Sequence, residues 1–469
     1  MKKLLLAASL FLMTSFVNAQ YFVFATQIAY INADQIQQKL NEFGYNTDSM
    51  TFNDVRLFKI QYNTTDVFGG PTVASGALYV PQTECDTLPL VSYQHGTVFH
   101  KQHVPSNWWS WLPAYLYSGN GYIATLPDYL GMGINPGLHP YVHWESEATA
   151  SIDLIRASRE FLNETFDKWD NNQLFLTGYS QGGHSTMAIH KYVTINNLQD
   201  EFNIVASAPA SGPFPLYDLQ LPGMLGGDST YYVPEFIPYV FAAYQMVYGN
   251  LYQNYNEYYD PPYDSIIAAW VASGEDWGTL PTNFYDFMQD SVLDNILSNP
   301  NHPFNVDVRD NDLHNWIPQE PVRMLYCGMD SMVFAQNSIM AQDTMNALGA
   351  PDVQAIDLDP NGTHETCETD TYALAWFNSL RLECEMVHVS IPSLKEQPEI
   401  SLYPNPVKDI ATFSSKEISA IEIYDMTGAL IVRRIDHRVD MSGMNTGIYF
   451  VIGFDKKNKP LYKGRLVKM

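Results

Sequence analysis

Positive charge is scarce in this sequence: 25 Lys and Arg stand against 51 Asp and Glu in 469 residues, a formal net charge of −26. Nucleic acid and anionic membrane surfaces would both repel such a chain, so neither is expected as a partner. Long apolar runs are missing as well. Beyond the first twenty residues no segment reaches the ~18 apolar residues of a spanning helix, so no stable membrane insertion is expected. There are only four cysteines, and no spacing among them resembles a zinc site, so no structural metal is expected. Charged residues are 16% of the chain and hydrophobic residues 46%. That balance excludes disorder and a coiled coil and leaves a globular protein with an ample core. There is no internal repeat.

What is present begins with an address. Lys2 and Lys3 precede a short apolar run, Leu4 to Val17, and Val17-Asn18-Ala19 is a small-residue cleavage site. Residues 1–19 therefore read as a signal peptide, with a mature start at Gln20. Export permits disulfides, and Cys85, Cys327, Cys367 and Cys384 allow three pairings among which spacing does not choose. Cys367 and Cys384, both after the last expected core strand, offer a local pair; Cys327, ending a hydrophobic run, reads as a buried thiol. Charge also divides the chain. Up to Ser390 there are 13 basic and 42 acidic residues; from Ile391 onward there are 12 and 9. A domain of residues 20–390, a proline-bearing linker at 391–398 and a second domain at 399–469 follow from that change.

Within the first domain, short apolar strands alternate with helical stretches, the pattern of an α/β sheet with helices on both faces. Leu57–Gln61 and Ala77–Val80 read as an antiparallel pair. Leu88–Tyr93, Tyr122–Leu126, Leu174–Thr177 and Asn203–Ala206 read as parallel strands. Ser146–Leu162 is an amphipathic helix, apolar at Ala150, Leu154, Ala157 and Phe161. Residues 216–320 break the pattern with Tyr, Asn, Pro and Met and with helical pieces at Glu235–Tyr248 and Tyr285–Leu297. A structureless loop of that length is improbable in a compact domain, so this is expected to be a helical cap. Strands resume at Val322–Tyr326 and Val353–Leu358, and a closing helix includes Phe377 and Leu380. Residues 399–469 carry short alternating runs (Ile421–Tyr424, Ile431-Val432, Ile448–Val451) with turns at Gly428, Gly443 and Gly447, as expected for a small all-β sandwich.

The sharpest motif is Gly178-Tyr179-Ser180-Gln181-Gly182-Gly183, between the strand Leu174–Thr177 and a helical run from His184 to Val193. A serine hydroxyl becomes a nucleophile when a base takes its proton and its oxygen stands clear of the backbone. A sharp strand-to-helix turn provides that exposure, and it requires small residues two before and two after the serine. Gly178 and Gly182 supply them. The backbone N–H of Gln181 then faces the place where an oxyanion would form. A second donor is expected after the first parallel strand, where Gln94-His95-Gly96-Thr97 assigns it to Thr97.

Order along the chain assigns the rest of a triad. Asp330 follows the strand Val322–Tyr326, where sites of open parallel sheets collect. His364, in Gly362-Thr363-His364-Glu365, follows the next strand. His364 would accept the Ser180 proton while Asp330 fixes its tautomer. His388 and His437 come too late in the chain, while Asp343 and Asp352 fall on a helix and at a strand start. His95 reads as a loop anchor and Asp128 as a structural residue near the site mouth. Asp307, Asp310 and Asp312 lack the glycine and distal glutamate of a calcium loop and read as a solvated acidic turn. No cofactor is called for.

These residues together resemble the α/β-hydrolase superfamily over about Asp54 to Leu380, and within it secreted lipases and esterases of the fungal secretory type and their bacterial relatives. Gln94–Thr97, Pro127-Asp128-Tyr129-Leu130-Gly131-Met132-Gly133 and the Ser180 motif carry the likeness. It implies a lid where the insertion stands. One departure is that Asp330 lies two residues after Gly328 rather than three, while Val333 keeps its spacing to the acid. The tail resembles the C-terminal sorting domain of type IX secretion, on Leu402-Tyr403-Pro404-Asn405-Pro406, Ile423–Gly428, Gly447–Val451 and the basic end from Lys463 to Lys468. That resemblance implies type IX secretion machinery as a partner, an extracellular or cell-surface destination by way of the periplasm, and removal of the tail. A carbohydrate-binding sandwich is the competing reading of the tail, and it lacks an aromatic platform.

The expected activity is hydrolysis of a small or lipid-like carboxylic ester through Ser180, His364 and Asp330 and an acyl-enzyme. A peptidase of the prolyl or dipeptidyl type and a non-catalytic binding protein are the alternatives. Tyrosines from Tyr231 to Tyr263 crowd the cap and would suit acyl chains, sugars or aryl groups alike.

Overall fold

A computed structural model describes residues 20–48, 50–107, 111–166, 168–226, 231–275, 278–382, 384, 400–425, 430–457 and 459–469. The expected signal peptide, the linker and the turn at Gly428 lie outside the described residues. The chain divides into two compact units, up to Met386 and from Val387.

The larger unit opens with β1 (Phe22–Ile31), which sequence reading did not anticipate. Its Val23, Phe24, Ile28 and Tyr30 are exposed, so it lacks the alternation that marks a half-buried strand. After α1 (Ala33–Glu42), capped reciprocally by Asn32 and Gln35, come β2 (Asp54–Thr65) and β3 (Pro71–Gln82). These two pair without interruption from Asp54↔Gln82 to Thr65↔Pro71, a hairpin much longer than its most apolar stretches suggested. Its turn closes on Asp66, whose carboxylate accepts from the amides of Phe68 and Gly70, with Gly69 at φ +79°.

The α/β portion follows: β4 (Thr87–Gln94), α2 (Leu112–Gly119), β5 (Ile123–Pro127), α3 (Trp144–Thr165), β6 (Trp169–Tyr179), α4 (Gln181–Ile195) and β7 (Ile204–Ala210). The sheet has nine described strands, and their order is completed by β8 (Val322–Cys327) and β9 (Val353–Asp359) as β1-β2-β3-β5-β4-β6-β7-β8-β9. It is antiparallel as far as β3–β5 and parallel from β5 to β9. Leu174, Phe175 and Leu176 of β6 are fully buried on both faces, each worth about 1.5–3 kcal/mol of burial. One face packs on Leu154, Ile155 and Met187 of α3 and α4. The other packs on Ile36 and Leu116 and on Phe377 of the closing helix, Asp370–Leu380.

Between β7 and β8 the chain forms α5 (Leu221–Leu225), α6 (Phe236–Tyr248), α7 (Tyr263–Ser273), α8 (Asp290–Ser298) and α9 (Pro303–Asp310). These helices share an apolar core of their own around Phe241, Tyr259, Phe287 and Leu293. The helix expected from Tyr285 begins later. Met288 forms a β-bridge with Tyr259, and Asn283 caps a single short turn at Phe284–Asp286, so the backbone there pairs sideways first. The acidic turn is likewise different: Asp307 is buried inside α9, Asp310 accepts from the Tyr248 hydroxyl and Asp312 from the Tyr217 amide. Packing of α9 against α6 buries Asp307, while Asp310 stays exposed and Asp312 is half-buried. Beyond β8, α10 (Gln336–Leu348) leads to β9, and α11 (Asp370–Leu380) closes the unit.

The cysteine reading is corrected. The bonds are Cys85–Cys384 and Cys327–Cys367; Cys327 is no free thiol, and Cys367 does not pair with Cys384. The reason is topological. Helix α11 rises about 16 Å over its 11 residues and carries the chain away from Cys367 before Cys384 is reached.

The second unit contains β10 (Leu402–Tyr403), β11 (Ile410–Phe413), β12 (Ala420–Tyr424), β13 (Leu430–Arg434), β14 (Arg438–Asp440), β15 (Gly447–Phe454) and β16 (Pro460–Lys468). They form a three-stranded sheet, β10-β11-β14, and a four-stranded sheet, β13-β12-β15-β16. Ile421, Ile423, Val451 and Leu466 alternate into a shared core, as period-two patterning requires.

Candidate active site

Ser180 stands at the junction of β6 and α4 with φ 61° and ψ −121°, a conformation that costs a non-glycine residue roughly 1–3 kcal/mol. Backbone bonds hold it there: its N–H donates to Ala210, and its carbonyl accepts from Gly183 at 2.8 Å. The turn is tight enough to need its glycines. A Cβ on Gly178 would sit 2.5 Å from the Gln94 carbonyl oxygen, and one on Gly182 would overlap that same oxygen. The Gln94–Thr97 loop thus lies against the serine.

The structure brings Ser180, His364 and Asp330 together. His364 Nε2 is 3.0 Å from Ser180 Oγ, and His364 Nδ1 is 2.7 Å from Asp330 Oδ2. The other Asp330 oxygen accepts from the amides of Met332 and Val333 at 3.0 and 2.9 Å, which fixes the carboxylate in the plane needed to receive Nδ1–H. Tyr179 braces the histidine from below, its hydroxyl donating to the His364 carbonyl and its ring 4.9 Å from the imidazole. All three groups are buried, so water competes little for these bonds. Asp343 is remote on α10, and Asp352 is engaged with Arg323 at 2.8 Å.

Gln181 opens α4, so its N–H has no intrahelical acceptor. Gly96 approaches Ser180 closely enough that a Cβ there would lie 3.6 Å from the serine Cβ, which sets Thr97 at the rim of the same spot. The Thr97 hydroxyl bonds the Tyr141 hydroxyl at 2.7 Å. His95 is buried beside Tyr129 and Trp111, and burial pushes it down to about 4, leaving it neutral. Asp128 accepts from Ser75 and Ser106 and ties β3 to the loops around the mouth.

A buried network behind the serine escaped sequence reading. Glu147 of α3 accepts from Gln181 Nε2 at 2.9 Å and contacts His184 Nδ1 at 2.7 Å, gripping the first turn of α4 at two points. Gln181 Nε2 also donates to His139 Nε2, whose other ring nitrogen donates to the Leu130 carbonyl. A signal existed: Glu147 falls three residues before Ala150, in register with the apolar stripe of α3, where a charge is costly unless partnered.

Beside Ser180 a narrow, largely apolar cleft lies beneath the cap. Leu221, Met224, Ile237, Val240, Phe304 and Val308 form much of its wall. The polar groups on that wall are already engaged. Tyr231 donates to the Met332 carbonyl, Tyr244 to the Val142 carbonyl, and Gln220 bonds Met332 and Asn337. Among the described residues no group of three or more His, Cys, Asp or Glu could hold a metal ion, and no helix is long and apolar enough to cross a membrane.

The rice cell wall degrading esterase LipA of Xanthomonas oryzae superposes with a TM-score of 0.69 at 25% identity, over 77% of this chain and 100% of that one. The larger unit has the α/β-hydrolase fold. A hydrolase candidate of Legionella pneumophila gives a TM-score of 0.69 at 24% identity, over 78% of this chain and all of the other. Candida antarctica lipase A gives 0.54 at 16%, over 78% and 84%, a likeness of fold. No curated protein sequence matches the chain. Residues 401–467 match the secretion system C-terminal sorting domain family. The α/β-hydrolase unit is thus similar to esterases and lipases, which supports ester hydrolysis in general terms, and the type IX sorting domain supports secretion or display at the cell surface.

Proposed function

We propose that the chain is an exported serine esterase that takes esters with an apolar acyl group. The observation that carries this reading is the hydrogen-bonded line from Ser180 Oγ through His364 to Asp330, ending beside an apolar cleft whose polar wall groups are already satisfied. His364 takes the hydroxyl proton as Ser180 Oγ attacks the ester carbonyl. The oxyanion receives the amides of Gln181 and Thr97. Collapse expels the alcohol, which takes its proton from His364, and leaves the acyl group on Ser180. Water, deprotonated by the same imidazole, then releases the acid.

An acyl chain suits the cleft better than a sugar. Carbohydrate hydroxyls would be buried there without partners, at roughly 1–3 kcal/mol each. The signal peptide at 1–19 and the sorting domain would deliver residues 20–390 through the periplasm to the exterior. The test is hydrolysis of p-nitrophenyl esters from acetate to palmitate, with Ser180→Ala as control and a proline p-nitroanilide alongside. Turnover peaking at one chain length and abolished in the variant is expected. Turnover of the anilide alone would make the protein a peptidase.

A further inference from the structure

His364 lies in a segment pinned at both ends to the residues that carry its acid. Upstream, the Gly362 carbonyl accepts from the Met329 amide at 3.0 Å, and the Asp359 carbonyl accepts from Gly328 at 3.0 Å. Downstream, Cys367 is bonded to Cys327, the last residue of β8 and only three before Asp330. The fit is close: a Cβ on Gly362 would stand 2.9 Å from Cys327 Sγ. Between the two anchors lie four residues, Thr363 to Thr366, and His364 is one of them. Tyr179 holds the His364 carbonyl within the segment, and beyond it the Cys327–Cys367 bond is the tie to the Asp330 strand ahead of α11.

We infer that Cys327 and Cys367 are positioning residues of the hydrolysis, and that their oxidation to a disulfide switches the chain on. This rests on the Ser180 reading above. The disulfide holds the His364 segment against the Asp330 loop, so the imidazole meets both the carboxylate and Ser180 Oγ. In the dithiol form the segment keeps its upstream anchor and the Tyr179 hydroxyl on the His364 carbonyl but loses its downstream tie to β8, and the line from Asp330 to Ser180 slackens. Misplacement of a catalytic group by about 1 Å can cost on the order of 100-fold in rate. Oxidation removes two electrons and two protons from the thiols and passes them to a disulfide donor, as in an oxidising compartment outside the cytoplasm. The dithiol chain would therefore be about 10- to 100-fold slower toward esters than the oxidised one. Cys85–Cys384 ties the segment after α11 to the one before β4, holds neither the His364 segment nor the Asp330 loop, and serves as the internal control.

The experiment compares oxidised wild type with Cys327→Ser/Cys367→Ser and Cys85→Ser/Cys384→Ser on p-nitrophenyl butyrate, with the melting temperature of each. Oxidised wild type must first turn over and lose its activity in Ser180→Ala; failure there removes the esterase reading and the inference with it, whereas the comparison of the two cysteine pairs tests the inference alone. Expected is a fall of 10- to 100-fold in kcat for Cys327→Ser/Cys367→Ser with KM within twofold, and kcat near wild type for the other pair. A purely stabilising bond would lower the melting temperature and leave kcat unchanged below it, which would overturn the inference.

Should the first pair not fold, wild type is reduced stepwise with dithiothreitol. Its two thiols become a cyclic disulfide as each protein bond takes up two electrons and two protons. The two bonds are then counted separately by alkylation and mass spectrometry. Cys384 is exposed while Cys327 is buried, so Cys85–Cys384 opens first, without loss of activity, and activity falls with Cys327–Cys367. Loss that follows Cys85–Cys384, or no loss once both are open, refutes it.

Discussion

Replacing Asp330 by Asn tests the electrostatic core of the site while preserving its shape. In the folded chain Asp330 Oδ2 lies 2.7 Å from His364 Nδ1, and Oδ1 accepts from two backbone amides. An asparagine satisfies those amides with its carbonyl oxygen, which turns its NH2 group toward Nδ1. The imidazole must then carry its proton on Nε2, where it faces Ser180 Oγ and cannot receive a proton. The lost charge matters as well. A carboxylate and an imidazolium at 2.7 Å attract by about 6 kcal/mol at an effective dielectric of 20, and 1.36 kcal/mol is tenfold in rate. That bounds the loss at slightly over 10⁴, in line with the roughly 10⁴ of the corresponding change in other triads. The expectation is a fall of 10³–10⁴ in kcat on p-nitrophenyl butyrate, with KM and the melting temperature little changed. A fall of less than tenfold, or an equal fall in Asp343→Asn, would show that Asp330 is not the acid.

Four further outcomes are expected. Ser180→Ala and His364→Ala should each cost several orders of magnitude in kcat, and the double variant no more than either alone, because they act as one unit. Glu147→Gln should lower kcat about tenfold with KM within twofold, since it loosens the grip on Gln181 and His184; an unchanged kcat removes Glu147 from the site's support. Val308→Trp should lower kcat/KM on palmitate at least tenfold and on acetate less than twofold, which a chain-length series reads directly. Asp370 is pushed up to about 7, first by burial and then by Glu368, although the Tyr45 and Tyr117 hydroxyls contact it. The fold therefore retains a proton that the unfolded chain releases near 4, and this site lowers stability as pH rises from about 4 to about 7 and no further. Asp370→Asn should melt higher than wild type at pH 8 and nearly level with it at pH 4.5; equal melting at both refutes the assignment.

Chain order made much of the site legible. An elbow motif between an apolar strand and a helix, an acid after a later strand and a histidine after the last require only that parallel strands present their C-terminal ends to one side. Ser180, Asp330 and His364 each fall at such an end. Features that depend on distant backbone meeting side on left weaker traces. β1 shows no alternation because solvent covers much of both its faces. The Tyr285 region shows helical periodicity, yet its amides find the Tyr258–Asp260 backbone first.

The cysteines show where that logic stops. Proximity in sequence favoured Cys367 with Cys384, and a helix directed across the sheet defeats it. The carboxylate of Glu147 could have been noticed sooner, because a charge within an apolar helical stripe has to be answered by a partner. Its partners are Gln181, inside the motif that carries the proposed nucleophile, and His184, directly after it. Cys327 and Cys367 likewise lie three residues from Asp330 and from His364 in the sequence itself. A residue that sits beside a catalytic group and is poorly explained by its own element points to the support of that group. Here Glu147 is tied to residues that follow Ser180, and Cys367, three residues after His364, is tied to the residue three before Asp330.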